Sequence, residues 1–89
     1  MTAPRLRAEG IAWEVVEDEV VVLDLTSSEY FGLNATGTVL WQALAAHATV
    51  DELVQALMTA FDVDAPTATA DVTAFLDTLQ SHGLLESPA

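Results

Sequence analysis

Hydrophobic and polar positions change period along this chain. From Ile11 the repeat is two: Ile11, Trp13 and Val15 alternate with Ala12, Glu14 and Val16. The acidic triplet Glu17-Asp18-Glu19 then turns the chain into a second apolar run, Val20 to Leu25. A three-residue turn sets Val16 against Val20 and pairs Val15 with Val21, Trp13 with Leu23 and Ile11 with Leu25, all on one face. Glu14 and Asp24 fall on the opposite, wetter face, and the apolar side needs a second layer to cover it. The polar stretch Thr26-Ser27-Ser28-Glu29 folds Tyr30 to Leu33 back as a short third strand at the edge of the meander.

Beyond Leu33 the period becomes helical. Asn34 is a good N-cap, and Val39, Leu40, Ala43 and Leu44 recur at helical spacing with Trp41 beside them, which predicts a helix from Ala35 to about Ala46. Trp41 and Leu33 read as core. Thr49 and Glu52 form a capping box ahead of the stripe Leu53, Val54, Leu57, Met58 and Phe61, so a second helix ends near Phe61. Asp64, with Pro66 in the first turn, opens a third helix whose Val72, Phe75, Leu76 and Leu79 face inward and whose stop is Gly83. The fold class is α+β: a three-stranded antiparallel sheet followed by three helices. Residues 1–10 lack periodicity between Pro4 and Gly10 and read as a flexible arm outside the core; 11–86 form the domain and 87–89 a tail.

Composition narrows the function classes. A chain of 89 residues with 52% hydrophobic content closes one core and has no room for a second lobe. It has no cysteine, which excludes thiol nucleophiles, cysteine metal sites and disulfides. No apolar run reaches the roughly 18 residues of a membrane span, and Met1 to Gly10 lacks the hydrophobic stretch of a signal peptide, so the expected compartment is the cytoplasm. Fourteen acids against two bases give a formal net charge of -12, and both bases, Arg5 and Arg7, precede the domain. Nucleic acid is excluded as a partner, because phosphate contacts need a basic footprint. The acids either solubilise an apolar small protein or steer a basic partner.

Catalytic chemistry finds no support. His47 lies in an Ala-His-Ala-Thr loop and His82 at a helix end, with no activated hydroxyl beside either. Asp62-Val63-Asp64 resembles the start of a calcium loop but lacks the central glycine and the closing glutamate, so it reads as a turn with an N-cap. No enzyme activity, metal or cofactor is expected. A comparison with acyl carrier proteins fails, since no serine opens a helix to carry their prosthetic arm.

One resemblance spans nearly the whole chain, about residues 11 to 86. It rests on Tyr30-Phe31-Gly32-Leu33-Asn34, then Gly37, Trp41 and Leu44, the helix start Thr49-Val50-Asp51-Glu52-Leu53, then Asp71-Val72, Phe75-Leu76 and Leu79, and Gly83-Leu84-Leu85. In order and spacing these resemble the PqqD family, the recognition elements of ribosomally made, post-translationally modified peptides. Within it the chain looks most like the stand-alone leader-binding proteins of lasso peptide clusters. The resemblance implies a winged helix-turn-helix-like domain whose third strand accepts a precursor's leader as an added strand alongside the third helix. It implies leader contacts at Tyr30, Phe31, Gly32, Asp71, Val72, Phe75, Leu76 and Leu79. Tyr30 and Phe31 point to opposite faces, one packing inward and the other bordering the groove. The implied partners are the precursor's leader, a cysteine-protease-like leader peptidase and an ATP-dependent cyclase, with no nucleic acid and no membrane. The rival readings are a PqqD-type peptide carrier in pyrroloquinoline quinone synthesis and an acidic regulatory protein that masks a basic partner.

Overall fold

The structure, a computed structural model, describes residues 4–86. Strands β1 (Ile11–Val16), β2 (Glu19–Asp24) and β3 (Glu29–Gly32) precede helices α1 (Ala35–Ala45), α2 (Val50–Phe61) and α3 (Ala65–Ser81). The sheet is an antiparallel meander in the order β1-β2-β3, so both β1 and β3 are edges. The helices begin where their caps direct. Asn34 accepts a hydrogen bond from Gly37 N (2.8 Å), the Thr49/Glu52 capping box closes in both directions, and Asp64 accepts from Thr67 N (3.0 Å). Gly83, at φ 71°, ends α3 in the left-handed region as expected.

The hairpin register departs from the sequence expectation. The β1–β2 turn is two residues, Glu17 and Asp18, both at positive φ (52° and 69°), the arrangement whose twist suits antiparallel strands. Val15 therefore opposes Val20, Trp13 opposes Val22 and Ile11 opposes Asp24. A slip of one residue turns every β2 side chain to the other face. Val20 and Val22 are buried, while Leu23, expected beneath the helices, faces outward. Asp24, expected on the wet face, is buried at 4% exposure.

The core joins Val20 and Val22 to Leu40, Trp41 and Leu44 of α1, Leu53 and Leu57 of α2, and Ala68, Val72 and Leu79 of α3, with Leu84 beyond. Trp13 meets Trp41 edge to face, ring centroids 6.2 Å apart. The buried Val20 N–H donates to Thr38 Oγ1 (2.9 Å), which ties β2 to the start of α1 and satisfies that amide; the buried Trp41 indole N–H has no partner among the described residues.

The described part of the expected N-terminal arm, residues 4–10, is tied to the core. Leu6 packs against it and bridges Leu85, with Arg7 N donating to Leu84 O and Glu86 N to Arg5 O, both at 2.8 Å. The Arg7 side chain reaches the buried Asp24 carboxylate at 2.8 Å and is the one cation paired with it among the described residues. Periodicity cannot reveal this pairing, because only a few residues form it and their partners lie at the far end of the chain. Residues 1–3 of the arm and the tail 87–89 lie outside the described residues.

Arg7 holds the Asp24 carboxyl below the usual carboxylate range, aided by the Thr26 and Ser27 amides, and the Thr67 hydroxyl and amide do the same for Asp64. Both folded-state values lie below the unfolded ones, so their contribution to stability is complete above the ordinary carboxylate range. It is lost as the pH falls below about 4 towards the depressed folded values. Urea midpoints should therefore stay level from neutral pH down to that range and then drop, and Asp24→Asn should flatten the drop. An unchanged acid limb in that variant would remove Asp24 from the account.

Candidate functional site

The phase of the β2–β3 ladder determines what the free edge of β3 offers. Leu33 N donates to Val20 O (2.9 Å), Phe31 opposes Val22 and Glu29 opposes Asp24. Residues on an antiparallel strand turn their backbone groups alternately to either side. Glu29, Phe31 and Leu33 thus spend theirs on β2, and Tyr30 and Gly32 direct their N–H and C=O away from the sheet. A Cβ built on Gly32 would meet nothing within 4 Å, so the edge there is open.

Beside that edge lies a groove of about 300 Å³ between β3 and α3. Phe31, Gly32 and Leu33 form one wall, and Ala74, Phe75, Thr78, Leu79 and His82 the other, with Val22, Trp41 and Leu84 between them. His82 leans on Phe31, ring centroids 4.6 Å apart. The Thr78 hydroxyl donates back to Ala74 O (3.0 Å), so this wall remains largely apolar.

Of the residues singled out from the sequence, Phe31, Gly32, Phe75 and Leu79 come together here. Tyr30 contributes its backbone to the edge, but its side chain stands on the outer face of the sheet opposite Leu23 at 74% exposure. Phe31 both packs inward and borders the groove, two roles the sequence reading divided between the aromatics. Val72 lies in the core at 1% exposure, and Leu76 packs against it. Asp71 is exposed one turn before the groove, on the stripe that Phe75, Thr78 and His82 continue at spacings of four, three and four. That stripe was the signal that could have found Thr78 and His82; Leu84 belonged to the Gly83-Leu84-Leu85 run of the resemblance but was not singled out for the groove. A second open surface is the outer sheet face, where Val16, Leu23, Leu25 and Tyr30 are exposed. Among the described residues no three of His, Asp and Glu gather to hold a metal, and no helix is long and apolar enough to cross a membrane.

A free strand edge with an apolar groove alongside is the form of a domain that receives an extended peptide. The family described as coenzyme PQQ synthesis protein D (PqqD) matches residues 19–85, and the chain belongs to that family. Its structure is similar to that of TbiB1 in complex with the TbiA(beta) leader peptide, with a TM-score of 0.85 and 34% identity over 100% of this chain and 99% of that one. It is also similar to a lasso peptide synthetase B1 complexed with the leader peptide, with a TM-score of 0.85 and 27% identity over 97% of this chain and 100% of that one. No protein with a curated description matches the chain.

Proposed function

We propose that this chain is a non-catalytic adaptor that binds the leader of a ribosomally made precursor, of the lasso peptide kind, and presents it to a leader peptidase and an ATP-dependent cyclase. The observation that carries this reading is the pair of outward-turned residues on β3, Tyr30 and Gly32, running beside the apolar groove. An incoming strand gains backbone hydrogen bonds at those two residues, and its alternate side chains enter the groove between Phe31 and Phe75. Likeness to two leader-bound proteins supports the lasso assignment over the pyrroloquinoline quinone carrier that the family's description suggests. The exposed outer face lies across the sheet from the helices, so an enzyme docked there leaves the groove clear.

The test is fluorescence polarisation with a labelled synthetic leader, joined to amide exchange. Binding should slow exchange at Tyr30 and Gly32, whose amides have no partner in the ladder. Tight binding with no protection at either amide would sink the strand-addition mechanism, and no binding to lasso-type leaders would sink the function.

Charge sets a further expectation. No Lys or Arg follows Arg7, so the body carries a negative field. A leader bearing Lys or Arg should associate faster than its Gln-substituted form, and the advantage should fade with salt because exposed charges are screened within about 8 Å at physiological ionic strength. Equal salt dependence of the two on-rates in stopped flow would leave the acids as a solubilising surface.

A further inference from the structure

The walls of the groove belong to distant parts of the chain, and one side chain joins their roots. On the β3 side, Asp24 accepts hydrogen bonds from Thr26 N (2.9 Å) and Ser27 N (3.4 Å) through its carboxylate, and from Ser28 N (2.8 Å) through its carbonyl. It thereby shapes the turn that delivers β3, whose first residue, Glu29, pairs with it. On the α3 side, Gly83 ends the helix between His82 and Leu84, both of which line the groove. Arg7 spans the two: Nη2 reaches Asp24 Oδ1 at 2.8 Å and Nη1 reaches Gly83 O at 3.0 Å. Its Nε donates to Glu9 O (3.0 Å), which orients the guanidinium, and its own amide donates to Leu84 O (2.8 Å).

We propose that Arg7, which precedes the residues matched by the family, is a positioning residue that holds the two walls of the leader groove at a fixed separation through Asp24 and Gly83. It does not line the groove itself and acts through the turn before β3 and the turn after α3. Only a planar fork with donors on three nitrogens makes these bonds together; a lysine keeps the charge but cannot span them. A groove held at its working width spares the leader the cost of ordering it.

The inference rests on the groove being the leader site, and the experiment separates the two. Polarisation titrations use fluorescein-labelled synthetic lasso-type leaders, the TbiA(beta) leader among them. They compare the wild type with Arg7→Lys, Arg7→Gln, the double variant Arg7→Gln/Asp24→Asn, and Leu57→Ala as a destabilised control remote from the groove. Each is measured where circular dichroism shows it folded. The three Arg7 variants should bind about tenfold more weakly, the scale on which residues without ligand contact alter binding. Leu57→Ala should bind as the wild type does. The double variant leaves no unpaired buried carboxylate, so it keeps the test open if Arg7→Gln fails to fold. In the free protein, amide exchange at Phe31 and Leu84 should quicken together in Arg7→Lys. Wild-type affinity in Arg7→Lys or in the double variant, or equal weakening in Leu57→Ala, would overturn the proposal. If the wild type itself binds no leader, the reading of the groove fails, and unchanged exchange at Phe31 and Leu84 would still overturn the positioning role.

Discussion

Replacing Phe75 by alanine is expected to weaken leader binding by about 1–3 kcal/mol while the domain stays folded, the scale of an anchor in a desolvated pocket. Phe75 stands on α3 across the groove from Phe31 and is only partly buried, packed against the margin of the core. Its ring sits against the first turn of α1, where a Cβ on Gly37 would come within 3.4 Å of Phe75 Cε1 and 3.3 Å of Leu33 Cβ. Gly37 thus lets the aromatic settle close enough to form a wall and still offer a face. Truncation removes that face from the ligand, whereas the core loses only the part already turned inward. Titration of a labelled leader against the variant, with its thermal melt, separates the outcomes. Loss of the melting transition would place Phe75 in the core, and unchanged affinity would remove it from the groove.

Leu57→Ala should do the reverse, lowering stability by about 2–5 kcal/mol through lost burial and the cavity left behind. Leu57 is 1% exposed on α2, which packs between α1 and α3 and forms no part of the groove. Remote sites combine nearly additively, so leader affinity of the folded variant should stay within roughly twofold of the wild type. Urea denaturation reads the first effect and polarisation the second. A large affinity loss would mean that the helical layer transmits strain to the groove.

These two residues mark how far the sequence was legible. Helix starts were readable because their chemistry is local: Asn34, Thr49 with Glu52, and Asp64 each bond an amide within three residues. The strand register was not. Val20-Val21-Val22-Leu23 is apolar on both faces, so alternation gives no phase, and Glu17-Asp18-Glu19 holds no glycine to mark positive φ. One unread turn residue inverted β2 and hid the burial of Asp24. At the candidate site, Phe31, Gly32, Phe75 and Leu79 were readable from motif and stripe; the stripe also runs on to His82, but its contact with Phe31 arises only through tertiary packing. Arg7 and Asp24, seventeen residues apart, carry no pattern that links them.

Contact order along this chain is uneven. The strands pair as consecutive hairpins and each helix packs on the next, so most contacts form between near neighbours. The Leu6–Leu85 bridge instead closes almost the entire chain into one loop. Closure of that length yields little until the rest is in place, which puts docking of the Arg5–Arg7 segment after the folding transition state. Arg7→Gln should then speed unfolding and leave the folding rate unchanged, the signature of an interaction absent from that transition state. The native protein should also open first at this clasp, releasing both walls of the groove well before the helices come apart.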